Sequence, residues 1–121
     1  MFGASYLYTE SLPQQATTGG PITALSLTVP AGLEGRYRVG FQAASGSNTA
    51  TSLVKLDNVT DGATLVEREA SVGSDMRDVG GFAEVSFDGS AKTFSITFEK
   101  TGGPGNVRIQ EMRIEFWKVG E

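Results

Sequence analysis

The chain has 121 residues with 10 basic and 14 acidic side chains, giving a net charge of −4, and this length fits one domain of ordinary size. It contains neither cysteine nor histidine, which excludes disulfides, zinc–thiolate sites, thiol nucleophiles and histidine acid–base or metal chemistry. The basic residues are scattered from Arg36 to Lys118, so we expect no nucleic-acid partner, because such a partner needs a clustered basic surface.

The N-terminal segment differs in kind from the rest of the chain. Residues 14–21 read QQATTGGP, a polar and glycine-rich run that is unsuited to a core. Within the segment, Tyr6, Leu7 and Tyr8 give the main indication of a strand. We therefore predict an N-terminal arm at residues 1–22 that is loosely held in the free protein and ordered against a partner. The domain itself is predicted to span residues 23–121.

Alternation of apolar and polar residues predicts strands through most of that domain. Its clearest examples are residues 23–29, where Leu25, Leu27 and Val29 share one face, and residues 93–99. Residues 64–70 could pass for a short helix, but the segment is too brief to support one, and we assign it to a strand. With the other segments at 36–43, 51–56, 82–87 and 106–119, the pattern predicts an all-β, antiparallel sandwich or barrel of about eight strands.

Shared parity within the strands identifies the candidate core. The residues expected to be buried are Leu27, Val39, Phe41, Val85, Phe87, Phe94, Ile96, Phe98, Ile114 and Phe116.

The last strand changes parity along its length. Val107 and Ile109 share one parity, whereas Ile114 and Phe116 share the other. A bulge near residues 110–111 would keep both pairs facing inward, because one extra residue flips all the side chains that follow. Trp117 would then lie on the outer face.

The sequence gives little support for an enzyme. Glu67 and Glu69 stand on one face of a predicted strand, but no second catalytic group accompanies them. We expect no enzymatic activity and no cofactor.

Two acidic loops raise the question of a calcium site. One contains Asp57 and Asp61, and the other contains Asp75 and Asp78. Neither has the spacing of a calcium-binding helix–loop–helix motif, and Asp is common in ordinary turns. We interpret both loops as turns and predict no metal, although the sequence leaves calcium binding open.

The order of segments resembles that of the small jelly-roll virion proteins of tailed phages, a group of capsid decoration or cement proteins and tail-associated modules. The resemblance rests on GRYRVGFQAASGSNTATSLVKLDN, LVEREA, GGFAEVSFDGSAKTFSITFEK and VRIQEMRIEFWKV. It implies a homotrimer on the outer capsid surface that reinforces contacts of the major capsid protein or another virion protein. It also implies a jelly-roll-like β-sandwich of about eight strands and a virion location.

Exposed aromatic residues mark the predicted interface. The candidate residues are Tyr6, Tyr8, Trp117 and Val119. The first three are aromatic side chains outside the core, which often anchor contacts, and Val119 shares the outer face of the last strand with Trp117. The alternative function is a carbohydrate-binding or tail- and fibre-associated β-sandwich module. No export signal or apolar stretch of membrane-spanning length is apparent. We therefore expect synthesis in the host cytoplasm and no membrane partner.

Overall fold

The computed structural model describes residues 6–11, 15–47, 49–70 and 76–120, with the backbone alone for 6–11. These residues form nine strands: β1 (Tyr6–Ser11), β2 (Gln15–Thr17), β3 (Ile22–Val29), β4 (Glu34–Gly46), β5 (Thr51–Asn58), β6 (Ala63–Ala70), β7 (Arg77–Asp88), β8 (Lys92–Gly102) and β9 (Val107–Gly120). The described residues include no helix long and apolar enough to cross a membrane.

The strands make two antiparallel sheets that pack face to face. One sheet has the order β1-β9-β4-β7, with short β2 also paired to β9, and the other has the order β3-β8-β5-β6. The first strand lies beside the last, and successive strands β3 to β8 alternate between the sheets, except where β5 and β6 form a hairpin. This is the arrangement of a jelly roll. The predicted fold class is confirmed, and residues 63–70 form a strand as expected.

The inner faces of the two sheets make the core. Nine of the ten predicted core residues are buried, and the tenth, Val85, is partly buried against the cluster. Val85 lies on β7, an edge strand, where fewer neighbours cover each side chain. Four aromatic rings meet in the cluster, since Phe87 lies 5.0 Å from Tyr37, 6.0 Å from Phe94 and 6.0 Å from Phe116 between centroids.

Strand β3 departs from the simple alternation. The register of β3 against β8 shifts between Thr23 and Leu25. Ala24 is buried as a result, and Leu25, which we expected on the inner face with Leu27 and Val29, is only partly buried. A local irregularity of this kind is not visible in a periodic pattern.

The predicted bulge in β9 is confirmed. Gln42 of β4 pairs with Arg113, whereas Ala44 pairs with Gln110, so β9 contains one residue more than β4 at this point. Glu111 has a φ of 54°, the left-handed conformation found in some bulges. Ile109 and Ile114 are consequently both fully buried despite their opposite parity.

The N-terminal segment contributes strands to the sheet. Both β1 and β2 lie within residues 1–22 and pair antiparallel with β9, with Tyr6 opposite Trp117 and Gln15 opposite Ile109. The sandwich of the structure thus includes residues that the sequence pattern assigned to an arm. The loose attachment of this segment in the free protein stays a prediction.

Candidate functional site

The outer face of the five-stranded sheet combines polar, aromatic and glycine residues. On β4, Tyr37, Val39 and Phe41 face the core, so Arg38 and Gly40 take outward positions between them. Gly40 pairs with Glu115 of β9 on one side and with Phe82 of β7 on the other. A position without a side chain therefore lies in the centre of the face, between two large neighbours.

A groove of about 330 Å³ lies over this position. Gly40, Gly80 and Gly81 contribute the stretches of bare backbone, and the side chains of Phe82 and Trp117 line it together with polar groups. A Cβ atom at Gly40 would lie 3.2 Å from the carbonyl oxygen of Gly81 and 3.3 Å from the Cβ of Phe82. The depression therefore depends on the absence of a side chain at residue 40.

Arg38 connects the two aromatic side chains at one end of the groove. Its guanidinium carbon lies 4.4 Å from the ring centroid of Phe82 and 5.9 Å from that of Trp117. Both distances fall within the range of a cation–π interaction. The three side chains thus form a single row across β7, β4 and β9.

The other end and the sides of the groove carry hydrogen-bonding groups. Gln42 lies there, and its Oε1 accepts a 2.6 Å hydrogen bond from Arg113. Carboxylates come from Asp78 and Glu115. The face consequently offers amide, carboxylate and guanidinium groups within the span of a few residues.

The predicted interface residues come together at one edge of the same sheet. Tyr6 and Tyr8 lie on β1, opposite Trp117 and Glu115 of β9, and β1 is the edge strand of the described sheet. Trp117 is partly buried and lines the groove. Val119 is 36% exposed near the end of β9.

Phe82 is the functional candidate that sequence reasoning missed. It is 58% exposed, the largest exposed fraction among the described large hydrophobic residues. A signal was present, because Phe82 and Phe87 have opposite parity on one regular strand, so they cannot both face the core.

The Asp57–Asp61 loop is a hydrogen-bonded turn. The Asn58 amide donates to Asp61 Oδ2 at 2.8 Å, and Lys92 Nζ donates to the same oxygen at 2.7 Å. The Lys92 hydrogen bond, followed by that of Asn58, lowers the pKa of Asp61 below its ordinary value. Asp57 accepts hydrogen bonds from two threonine hydroxyls.

These contacts agree with the interpretation of the loop as a turn. Among the described residues, no group of three or more acidic side chains could hold a metal ion. Asp75 lies outside the described residues, and Asp78 lines the groove on the outer face.

The two glutamates of β6 lie at the surface, and one of them is close to a lysine. Glu67 Oε1 lies 3.6 Å from Lys55 Nζ on the neighbouring strand. Both Glu67 and Glu69 are exposed.

Comparison with known proteins shows that this chain resembles several solved structures in fold. No protein-family model and no curated protein sequence matches the chain. Among solved structures, VP2 of infectious bursal disease virus, from a subviral particle, has a TM-score of 0.60 at 11% identity over 98% of this chain and 34% of its own. The chain thus spans about a third of the VP2 chain.

Two further structures resemble the chain. The C-terminal domain of EclA, described as a sugar-binding protein, has a TM-score of 0.53 at 18% identity, over 94% of this chain and 81% of that domain. Dimeric latent PorU from Porphyromonas gingivalis has a TM-score of 0.56 at 8% identity, over 98% of this chain and 13% of its own. The neighbours therefore include a viral capsid protein and a sugar-binding domain, which share the β-sandwich fold with this chain.

Proposed function

We propose that the chain is a non-enzymatic structural subunit of a virion, a capsid decoration or cement protein of a tailed phage. The observation that carries the proposal is the meeting of all four predicted interface residues on β1 and the adjoining part of β9, at the edge of the sheet. An edge strand presents a row of backbone donors and acceptors to another chain. The likeness of fold to VP2 supports this role.

Homotrimer formation is part of the proposal. The exposed side chain of Val119 lies near the end of β9, beside the edge that β1 forms. In a threefold assembly each such contact is repeated three times, so modest contacts add to a stable ring. Trimers that bind a capsid through several equivalent contacts gain avidity without high affinity at each one.

The test measures mass and capsid binding on the full chain. We expect a species of three times the 12.8 kDa chain mass, and retention on capsids of the parent phage from which the protein has been removed. Val119→Asp should weaken both, because it places a charge in the contact. Lys55→Ala is the control, since Lys55 lies on β5 of the other sheet. A monomer at high concentration with no affinity for capsids would overturn the proposal.

Carbohydrate binding is the second candidate function. The groove over Gly40 favours it, because ligand sites combine a concave surface and aromatic side chains with a few converging polar groups. The likeness of fold to the EclA sugar-binding domain also supports it. A virion subunit could have both roles, since the groove lies on β4, β7 and β9 and the proposed assembly edge on β1 and β9.

A further inference from the structure

We infer that the groove over Gly40 binds one pyranose ring of a neutral carbohydrate, with Phe82 and Trp117 as the aromatic contacts. The inference rests on the second candidate function and assigns it a site. It does not require the proposed trimer, although Trp117 belongs both to the groove and to the predicted interface residues.

The size of the groove fits a single sugar ring. Its volume of about 330 Å³ is at the small end of the range for ligand pockets. The groove exists because Gly40 occupies an outward position at which any larger residue would fill the space, since a Cβ there already meets Phe82 and Gly81 closely. Gly40 does not have a positive φ, so the turn and strain requirements that often explain a glycine do not apply to it.

The aromatic side chains suit the apolar face of a sugar. A pyranose ring presents a patch of C–H bonds on one face, and such a patch packs against an aromatic ring. Phe82 exposes 58% of its surface beside the groove. Arg38 contacts both Phe82 and Trp117, which holds the two rings in position before a ligand binds and lowers the cost of ordering them.

The polar side chains suit the hydroxyl groups of a sugar. Asp78 and Glu115 bring carboxylates, which accept hydrogen bonds, to the groove. Gln42, whose Oε1 already accepts a hydrogen bond from Arg113, brings the donors of its amide nitrogen. Vicinal hydroxyls, which carry donors and acceptors side by side, match such planar groups.

The charges at the groove are of both signs. The carboxylates of Asp78 and Glu115 line it, whereas the guanidinium groups of Arg38 and Arg113 are already engaged with the aromatic rings and with Gln42. A neutral, hydroxyl-rich ligand can hydrogen-bond to the carboxylates without bringing a net charge into this balance.

The chain contains one tryptophan, Trp117, and it lines the groove. Its fluorescence therefore reports on the groove and on the adjoining pairing with β1. We would titrate the full chain with methyl glycosides of glucose, galactose, mannose and fucose and with N-acetylglucosamine, and expect a saturable change in emission for at least one of them. A Kd of about 1 mM is expected for so small a ligand.

The decisive variant is Phe82→Ser, which removes one aromatic contact and keeps the reporter. We expect it to weaken binding about tenfold. Val59→Ser is the matched control, because Val59 is 54% exposed but lies in the β5–β6 turn, outside this groove. Circular dichroism would show that both variants keep the fold. Gly40→Ala should also weaken binding, because its methyl group would occupy part of the groove.

A second readout separates failure of the site from failure of the function. The same variants would be applied, with a fluorescent label, to an array of immobilised glycans. If the chain binds a glycan and Phe82→Ser binds it equally well, the site is wrong and carbohydrate binding stands. If no glycan is bound in either assay, both the site and the second candidate function are wrong.

Discussion

Two adjacent residues of β9 lie on opposite faces of the five-stranded sheet. Phe116 is 2% exposed and packs among Tyr37 and Phe87 in the core. Trp117, the next residue, lies on the other face, next to Arg38 and the groove. The inner face consists of close-packed hydrocarbon, whereas the outer face mixes glycine, arginine, carboxylate and aromatic groups. Stability is therefore concentrated on one face, and the candidate chemistry on the other.

Truncation of an inner residue should have the largest effect. Phe116→Ala should lower the free energy of unfolding by about 3–5 kcal/mol, because it removes a buried ring and leaves a cavity. Trp117→Ala, one residue away, should cost roughly 1 kcal/mol, the scale of a partly exposed cation–π contact. Urea denaturation of the two variants measures the difference. Equal losses would contradict the division of the sheet into a stabilising and a binding face.

Lys92, on β8 of the other sheet, is a charged residue in a buried position, since its side chain is only 7% exposed. Its ammonium is 2.7 Å from Asp61 Oδ2. Asp61→Asn should lower the melting temperature at neutral pH, because it leaves a buried cation without its anion.

The pH dependence of this effect has a definite sign. The pKa of Asp61 is lowered in the folded protein by Lys92, so the contribution is complete above the ordinary aspartate pKa of about 3.9. It is lost as the pH falls through the lowered pKa of the folded state. The difference in melting temperature between wild type and Asp61→Asn should therefore shrink in acid. Glu69→Gln, at an exposed position, should show little difference at any pH.

The bulge at Glu111 keeps Ile109 and Ile114 on the same inner face despite their opposite parity, and substitution of Glu111 should have a smaller effect of opposite sign. Glu111→Gly should stabilise the protein by up to about 1 kcal/mol, because glycine adopts the φ of 54° without steric cost. Glu115→Gly, at a regular position of the same strand, should instead destabilise it by roughly 0.5–1 kcal/mol. Chemical denaturation measures both changes. Destabilisation by Glu111→Gly would show that the glutamate side chain has a role of its own at the bulge.

Most of the inner face could be predicted from the sequence. Burial alternates with a period of two along a strand, so parity alone predicts which face a residue takes. This holds for Val39 and Phe41 on β4 and for Phe94, Ile96 and Phe98 on β8. Even the bulge in β9 was visible, because Ile109 and Ile114 had to be buried together. The same rule could have placed Phe82 on the outer face, since it opposes Phe87 in parity.

The tertiary structure alone decided what the outer face brings together. Gly40, Phe82 and Glu115 come from three strands far apart in the chain, and only the register of β4 with β7 and β9 sets them side by side. Likewise, a polar, glycine-rich N-terminal segment gives no periodic signal, and its pairing with β9 depends on an edge that the rest of the fold provides. Local sequence determines which side of a strand a residue faces, because that depends on the backbone period. Which residues become neighbours depends on strand order and register, which are properties of the whole chain.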